Sequence, residues 1–84
     1  MAEEVIGKIT HFFPKISVAV LSLSGDLKVG DKIKLQGEKD SFEQEVTSME
    51  VEHESINEAR AGDDVGLKTN NPVKKNSDVL KIIE

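Results

Sequence analysis

The sequence predicts an all-β fold, a small closed antiparallel β-barrel of six to seven strands, and three observations carry that prediction. Short stretches alternate apolar with polar residues, as in Lys32-Ile33-Lys34-Leu35-Gln36 and Asp64-Val65-Gly66-Leu67. Glycine and aspartate recur together where one stretch gives way to the next, at Gly25-Asp26, Gly30-Asp31 and Gly62-Asp63. No segment sustains the three-to-four-residue apolar spacing of a helix. Short strands at this spacing, joined by glycine turns, are what a small barrel requires.

Taken in order, residues 5–13 read as a first strand, interrupted by Pro14 and Lys15. Residues 16–23 read as a second, with Ile16, Val18 and Val20 on one face and Ala19, Leu21 and Leu23 on the other. A strand apolar on both faces is buried on both, or crosses from one side of a barrel to the other. Ser24-Gly25-Asp26 is a turn, residues 31–36 a third strand, and Gly37-Glu38-Lys39-Asp40 a hairpin loop. Residues 42–54 are too long for a simple strand. Phe42, Gln44 and Val46 share one parity, Met49, Val51 and His53 the other, so the phase changes near Thr47-Ser48. A β-bulge or barrel corner produces such a change. Residues 55–60 form a short connection, 64–69 a strand, Asn70-Asn71-Pro72 a turn and 78–83 a closing strand. The expected core is Ile6 or Ile9 with Val18, Val20, Leu21, Leu27, Ile33, Leu35, Phe42, Val46, Met49, Val65, Leu67, Leu80 and Ile82. Gly25, Gly30 and Gly62 should resist β-branched substitution, through positive φ or close packing.

With 84 residues there is room for one domain, spanning 1–84 with its core about 5–83. There is no Trp or Tyr and there are three Phe, so the core is mostly aliphatic. The absence of cysteine excludes disulfides, thiolate metal sites and a cysteine nucleophile, and suits a cytoplasmic protein. The longest apolar run, Val18 to Leu21, is far short of the ~20 residues of a membrane helix, and the acidic start Met1-Ala2-Glu3-Glu4 is unlike a signal peptide. No membrane is expected.

The net charge is −5, and seven acidic side chains lie between Asp40 and Glu58 with no Lys or Arg among them. Five of these, Glu43, Glu45, Glu50, Glu52 and Glu54, make an acidic strand face. One reading is a solvated face that blunts a sheet edge. The other is a surface that docks a basic protein partner. The one stretch that interleaves aromatic and basic residues is Lys8-Ile9-Thr10-His11-Phe12-Phe13-Pro14-Lys15. Lys8, His11, Phe12 and Lys15 are its candidate contacts to RNA.

No catalytic constellation emerges. Gly25 to Gly30 imitates a phosphate loop, but Asp31-Lys32 follows where lysine and a hydroxyl residue should stand, so no GTP site is expected. Asp63-Asp64-Val65-Gly66 fits a GTPase switch pattern by chance. His11 and His53 have no second ligand at metal spacing, and the serines have no base beside them. The chain is expected not to be an enzyme and to carry neither metal nor cofactor.

The order of the corners carries a resemblance. Leu27-Lys28-Val29-Gly30-Asp31, then Val46-Thr47-Ser48-Met49-Glu50, then Arg60-Ala61-Gly62-Asp63-Asp64-Val65-Gly66-Leu67 resembles the second domain of translational GTPases such as elongation factor Tu and initiation factor two. The resemblance spans nearly the whole chain and implies the translation-factor domain-two barrel without its GTPase. It further implies that Glu58 lies against the terminal adenosine of a tRNA 3′ end and that Arg60 contacts the ribose or ester region, with Asp63 and Asp64 at the same corner. The stretch Thr10 to Val20 is closer to a small group of stand-alone elongation factor-like barrels. A similar barrel is also found at the C-terminus of some collagenase-like peptidase family proteins, which are linked to RNA modification. The leading expectation is thus a non-enzymatic translation-associated module that binds a tRNA 3′ end or ribosomal RNA weakly. The alternative is an interaction module that docks an enzyme or ribosomal protein through the acidic face.

Overall fold

The alternating stretches form strands, and the turns between them follow local chemistry. The computed structural model describes residues 2–83, and every regular element among them is a strand. These are β1 (Ala2–Phe13), β2 (Val18–Leu23), β3 (Leu27–Lys28), β4 (Lys32–Gln36), β5 (Ser41–Glu45), β6 (Met49–Val51), β7 (Glu54–Ile56), β8 (Glu58–Ala59), β9 (Asp64–Lys68) and β10 (Asp78–Ile83). Eight pair in one sheet of order β5-β4-β10-β1-β2-β9-β6-β7, while β3 and β8 form a separate two-stranded ribbon. All pairings are antiparallel.

The all-β, antiparallel reading holds, but the closed barrel of six or seven strands does not. The described strands number ten, and the ladder ends at β5 and β7 without joining them. The higher count has a local cause. The long 42–54 stretch breaks at the expected phase change, and Val46 and Met49 are both buried despite opposite parity. The 55–60 connection holds most of β7 and all of β8. Between β5 and the end of β9 a side chain makes the link, and no ladder joins them. Buried Gln44 donates from Nε2 to the Lys68 carbonyl (2.9 Å) and accepts at Oε1 from the Asn70 amide (2.8 Å).

The long strand β1 is the spine, pairing β10 along its first half and β2 along its second. Its register shifts between Val5 and Gly7 and again between Ile9 and His11, so Ile6 and Ile9 both enter the core. Gly7 sits where β1 passes closest to β2. A Cβ there would lie 2.8 Å from the Ser22 carbonyl oxygen, so close packing requires glycine.

The core also differs in part. Ala19, Leu23, Ala59 and Val79 are buried, whereas Val18, Val20, Phe42, Leu80 and Ile82 are only half-buried. In β2 the inward face is Ala19, Leu21 and Leu23, and the second apolar face looks outward. In β10 the apolar residues come in adjacent pairs on either side of Lys81, so alternation does not indicate which parity points in, and Val79 is the inward one.

Candidate functional site

The two corners carrying the resemblance are built alike. In each, an aspartate N–H donates to the carbonyl three residues back, Asp31 to Lys28 (3.1 Å) and Asp63 to Arg60 (3.0 Å). In each, the aspartate Oδ2 accepts from that same residue's N–H at 3.0 Å. Gly30 and Gly62 stand at the third position with φ of 100° and 97°, as a type II turn demands. Asp31 is further held by Lys81, whose Nζ lies 3.4 Å from Oδ2. The motif thus has a structural job at both places, and Asp63 is committed to it.

The candidate RNA residues do not converge. Glu58 and Arg60 are exposed and line a shallow depression with Asp26, Lys28 and Lys81. No ion pair joins Glu58 to Arg60 among the described residues. Asp63 and Asp64 line a different depression. Lys8 stands outward on β1, 3.9 Å from Asp78. His11 and Phe13 have ring centroids 6.5 Å apart, Phe12 packs against the core, and Lys15 lies exposed in the turn after β1. The cations of that depression, Lys28, Arg60 and Lys81, share it with the carboxylates of Asp26 and Glu58, and Lys81 is engaged by Asp31, so they do not make the unopposed basic cluster from which phosphate affinity is built.

The acidic residues do not form one face either. Glu43 and Glu45 lie on β5 opposite Lys34 and Lys32 of β4, so lysines face them across the ladder. Glu50 and Glu54 lie on β6 and β7, at the other end of the sheet order. Glu52 and His53 are not strand residues. They form the two-residue tip of the β6–β7 hairpin, with Val51 opposite Glu54 and φ of 51° and 67°. Positive φ at both central positions is the type I′ geometry that favours Asn-Gly.

What the sequence did not single out is the outward face of β2, β9 and β6. Val18 and Val20 project there, Phe13 and Ile16 stand at one end, and Glu50, Glu52, Asp63 and Asp64 border it. The signal was present in the second apolar face of β2 and in Gly66 at mid-strand. No helix of the described residues is long and apolar enough to cross a membrane.

Comparison with known proteins gives this geometry its relatives. Over 80 residues, 94% of its length, the chain is 36% identical to a Methanocaldococcus jannaschii protein named an uncharacterized protease. The chain spans about a fifth (20%) of the length of that relative. Among solved structures, the C-terminal domain of a Geobacillus thermoleovorans protein assigned to the U32 peptidases superposes with a TM-score of 0.89 at 19% identity, covering 95% of this chain and 93% of that one. Its selenomethionine variant gives 0.86 at 20% identity, over 90% and 96%. At these identities the structural likeness establishes the fold.

These relatives overturn the expected translation-associated, RNA-binding role. They carry protease and peptidase names, and the stand-alone translation-factor resemblance reduces to a shared domain-two fold. The corner motif misled because in this chain it is a turn-forming device at both places. The elongation factor Tu domain 2 family model matches residues 18–80, three quarters of the sequence, and the chain belongs to that family.

Proposed function

We propose that this chain is a non-catalytic, protease-associated β domain that serves a peptidase body by docking to it. One observation carries the reading: nearly all of this chain matches one fifth of a protein named a protease, so the matched part is an appendage to something larger there. The solved C-terminal domains of the Geobacillus protein support it, since the same fold stands there as a separable unit. Small sheets of this kind offer surfaces rather than clefts, which suits a binding role better than a hydrolytic one. Action in the cytoplasm, without GTP or cofactor, belongs to the same proposal.

The test mixes this chain with the M. jannaschii protease lacking the matched segment and follows complex formation by sedimentation velocity. In parallel, the chain alone is assayed against a quenched fluorescent protein substrate. A one-to-one complex, with no hydrolysis by the isolated chain, is the expected result. Hydrolysis by the purified chain, or no complex at micromolar concentrations, would overturn the reading.

A further inference from the structure

We propose that the outward face of β2, β9 and β6 is a docking groove for an extended polypeptide segment carrying an aliphatic or aromatic anchor flanked by lysine or arginine. The proposal rests on the protease-associated reading for its partner class, and on three features of the groove for its chemistry.

The first is apolar surface left uncovered. Phe13 is 49% and Ile16 61% exposed, and with half-buried Val18, Val20 and Val51 they line one continuous depression. This end of the groove is held in place. The Ser17 Oγ donates to the Thr69 carbonyl (2.9 Å), and the Thr69 N–H donates back to the Ser17 carbonyl (2.9 Å), fixing the turn that carries Ile16.

The second is Gly66. Across three strands, Val20, Gly66 and Glu50 lie in one row, so the missing side chain makes a trough between a valine and a carboxylate. Of the other five glycines, Gly7 and Gly25 are required by close packing and Gly30 and Gly62 by positive φ, while Gly37 lies in the β4–β5 loop and not within a strand. Gly66 has neither. A Cβ there would make ordinary contacts, 3.5 Å from Val18 Cγ1 and 3.7 Å from the Glu50 carbonyl oxygen. Glycine in a strand interior weakens the strand, and it recurs where a ligand or another backbone approaches closely.

The third is the rim. Glu50, Glu52, Asp63 and Asp64 border the depression beside His53, and the one cation on this face of β9, Lys68, stands beyond it opposite Val18. Glu52 is held there by the left-handed hairpin tip, a strained conformation of the kind that collects at binding sites. Four carboxylates around an apolar trough select a basic flank on the incoming chain. They also argue against a second copy of this protein as occupant, because each copy would bring the same negative rim to a molecule of net charge −5.

The test is an NMR titration of the ¹⁵N-labelled chain with an acetylated, amidated hexapeptide having a Leu-Phe centre and two lysines on each side. Its twin, with glutamates for the lysines, is the control peptide. The basic peptide should shift amides of residues 13–20, 50–53 and 63–66. Gly66→Val, which fills the trough while suiting a strand, should abolish those shifts without loss of the folded spectrum. The double reversal Glu52→Lys with Asp64→Lys should weaken binding about tenfold, as two rim ion pairs imply. Reversal of Glu43 and Glu45 on β5 should leave it unchanged. Equal binding of the acidic twin, equal weakening by the β5 reversal, or no shift at millimolar peptide would each overturn the groove. If Gly66→Val still joins the peptidase body in sedimentation, docking stands and this groove does not. If the peptide binds but the body does not, the groove stands and its partner lies elsewhere.

Discussion

Replacing the hairpin tip by its preferred residues, Glu52→Asn with His53→Gly, should make the protein more stable. The tip places two L-residues at φ of 51° and 67°, where Cβ crowds the following carbonyl oxygen. That conformation costs about 1–2 kcal/mol per residue. Glycine at 53 removes the clash but loses more chain entropy on folding, leaving a gain of roughly 0.5–1 kcal/mol. Asparagine at 52 tolerates the left-handed region better than glutamate and adds a few tenths more, for a total of about 1–1.5 kcal/mol. In a domain of this size, each kcal/mol moves the melting temperature by roughly 4–8 °C, so a rise of about 5–10 °C is expected. With no Trp or Tyr in the chain, the melt is best followed by far-ultraviolet circular dichroism and calorimetry. Both side chains are exposed, so lost packing offsets little of the gain. An unchanged or lower melting temperature would refute the argument, because it would mean that the tip carries no strain to relieve. Because Glu52 is also a rim carboxylate, the same variant should bind the basic hexapeptide less well while melting higher.

Further expectations concern single residues. Gln44→Leu should cost about 2–4 kcal/mol in urea unfolding, since it strands the Lys68 carbonyl and the Asn70 amide; a loss under half a kcal/mol would show that neither bond matters. Alanine should act with opposite sign at two glycines: Gly62→Ala destabilising by about 1–2 kcal/mol at φ of 97°, and Gly66→Ala stabilising by roughly 0.5–1 kcal/mol. Equal effects at both would remove the case that Gly66 is not structural. The twin corners offer an internal comparison. Asp63→Ala loses the side-chain hook alone, for about 0.5–1.5 kcal/mol, while Asp31→Ala also loses Lys81 and should cost up to about 1 kcal/mol more. Matching losses in denaturant melts would mean that the Lys81 contact contributes nothing.

The readable parts of this molecule were those with local causes. Gly30-Asp31 and Gly62-Asp63 were legible as corners because the turn, the positive φ and the aspartate hook all lie within four residues. The phase change between Val46 and Met49 was legible for the same reason. The inward parity of β10 was not, because Val79, Leu80, Ile82 and Ile83 give no alternation to follow. Barrel closure was out of reach too, since it depends on strands distant in sequence. At the site, Glu50, Glu52 and Glu54 read as one strand face because neither Glu nor His signals a turn. The tip forms against local preference, under the pairing of β6 with β7. The corner motif carried fold information faithfully and functional information poorly, since one framework supports many sites.

The glutamine at the seam has a consequence for how the protein breathes. Ladders zip every strand of the main sheet to a neighbour, but the link from β5 across to β9 is a latch of two hydrogen bonds on one amide group. Releasing it costs on the order of 1–3 kcal/mol, less than global unfolding. The β5 edge can therefore loosen at the seam while β4, anchored by buried Ile33 and Leu35 and paired with β10, stays in place. Amide hydrogens along β5 should exchange with solvent by this partial opening, at rates that denaturant barely changes. Those of Ala19 and Leu21, deep in the central strands, should exchange only when the whole chain unfolds.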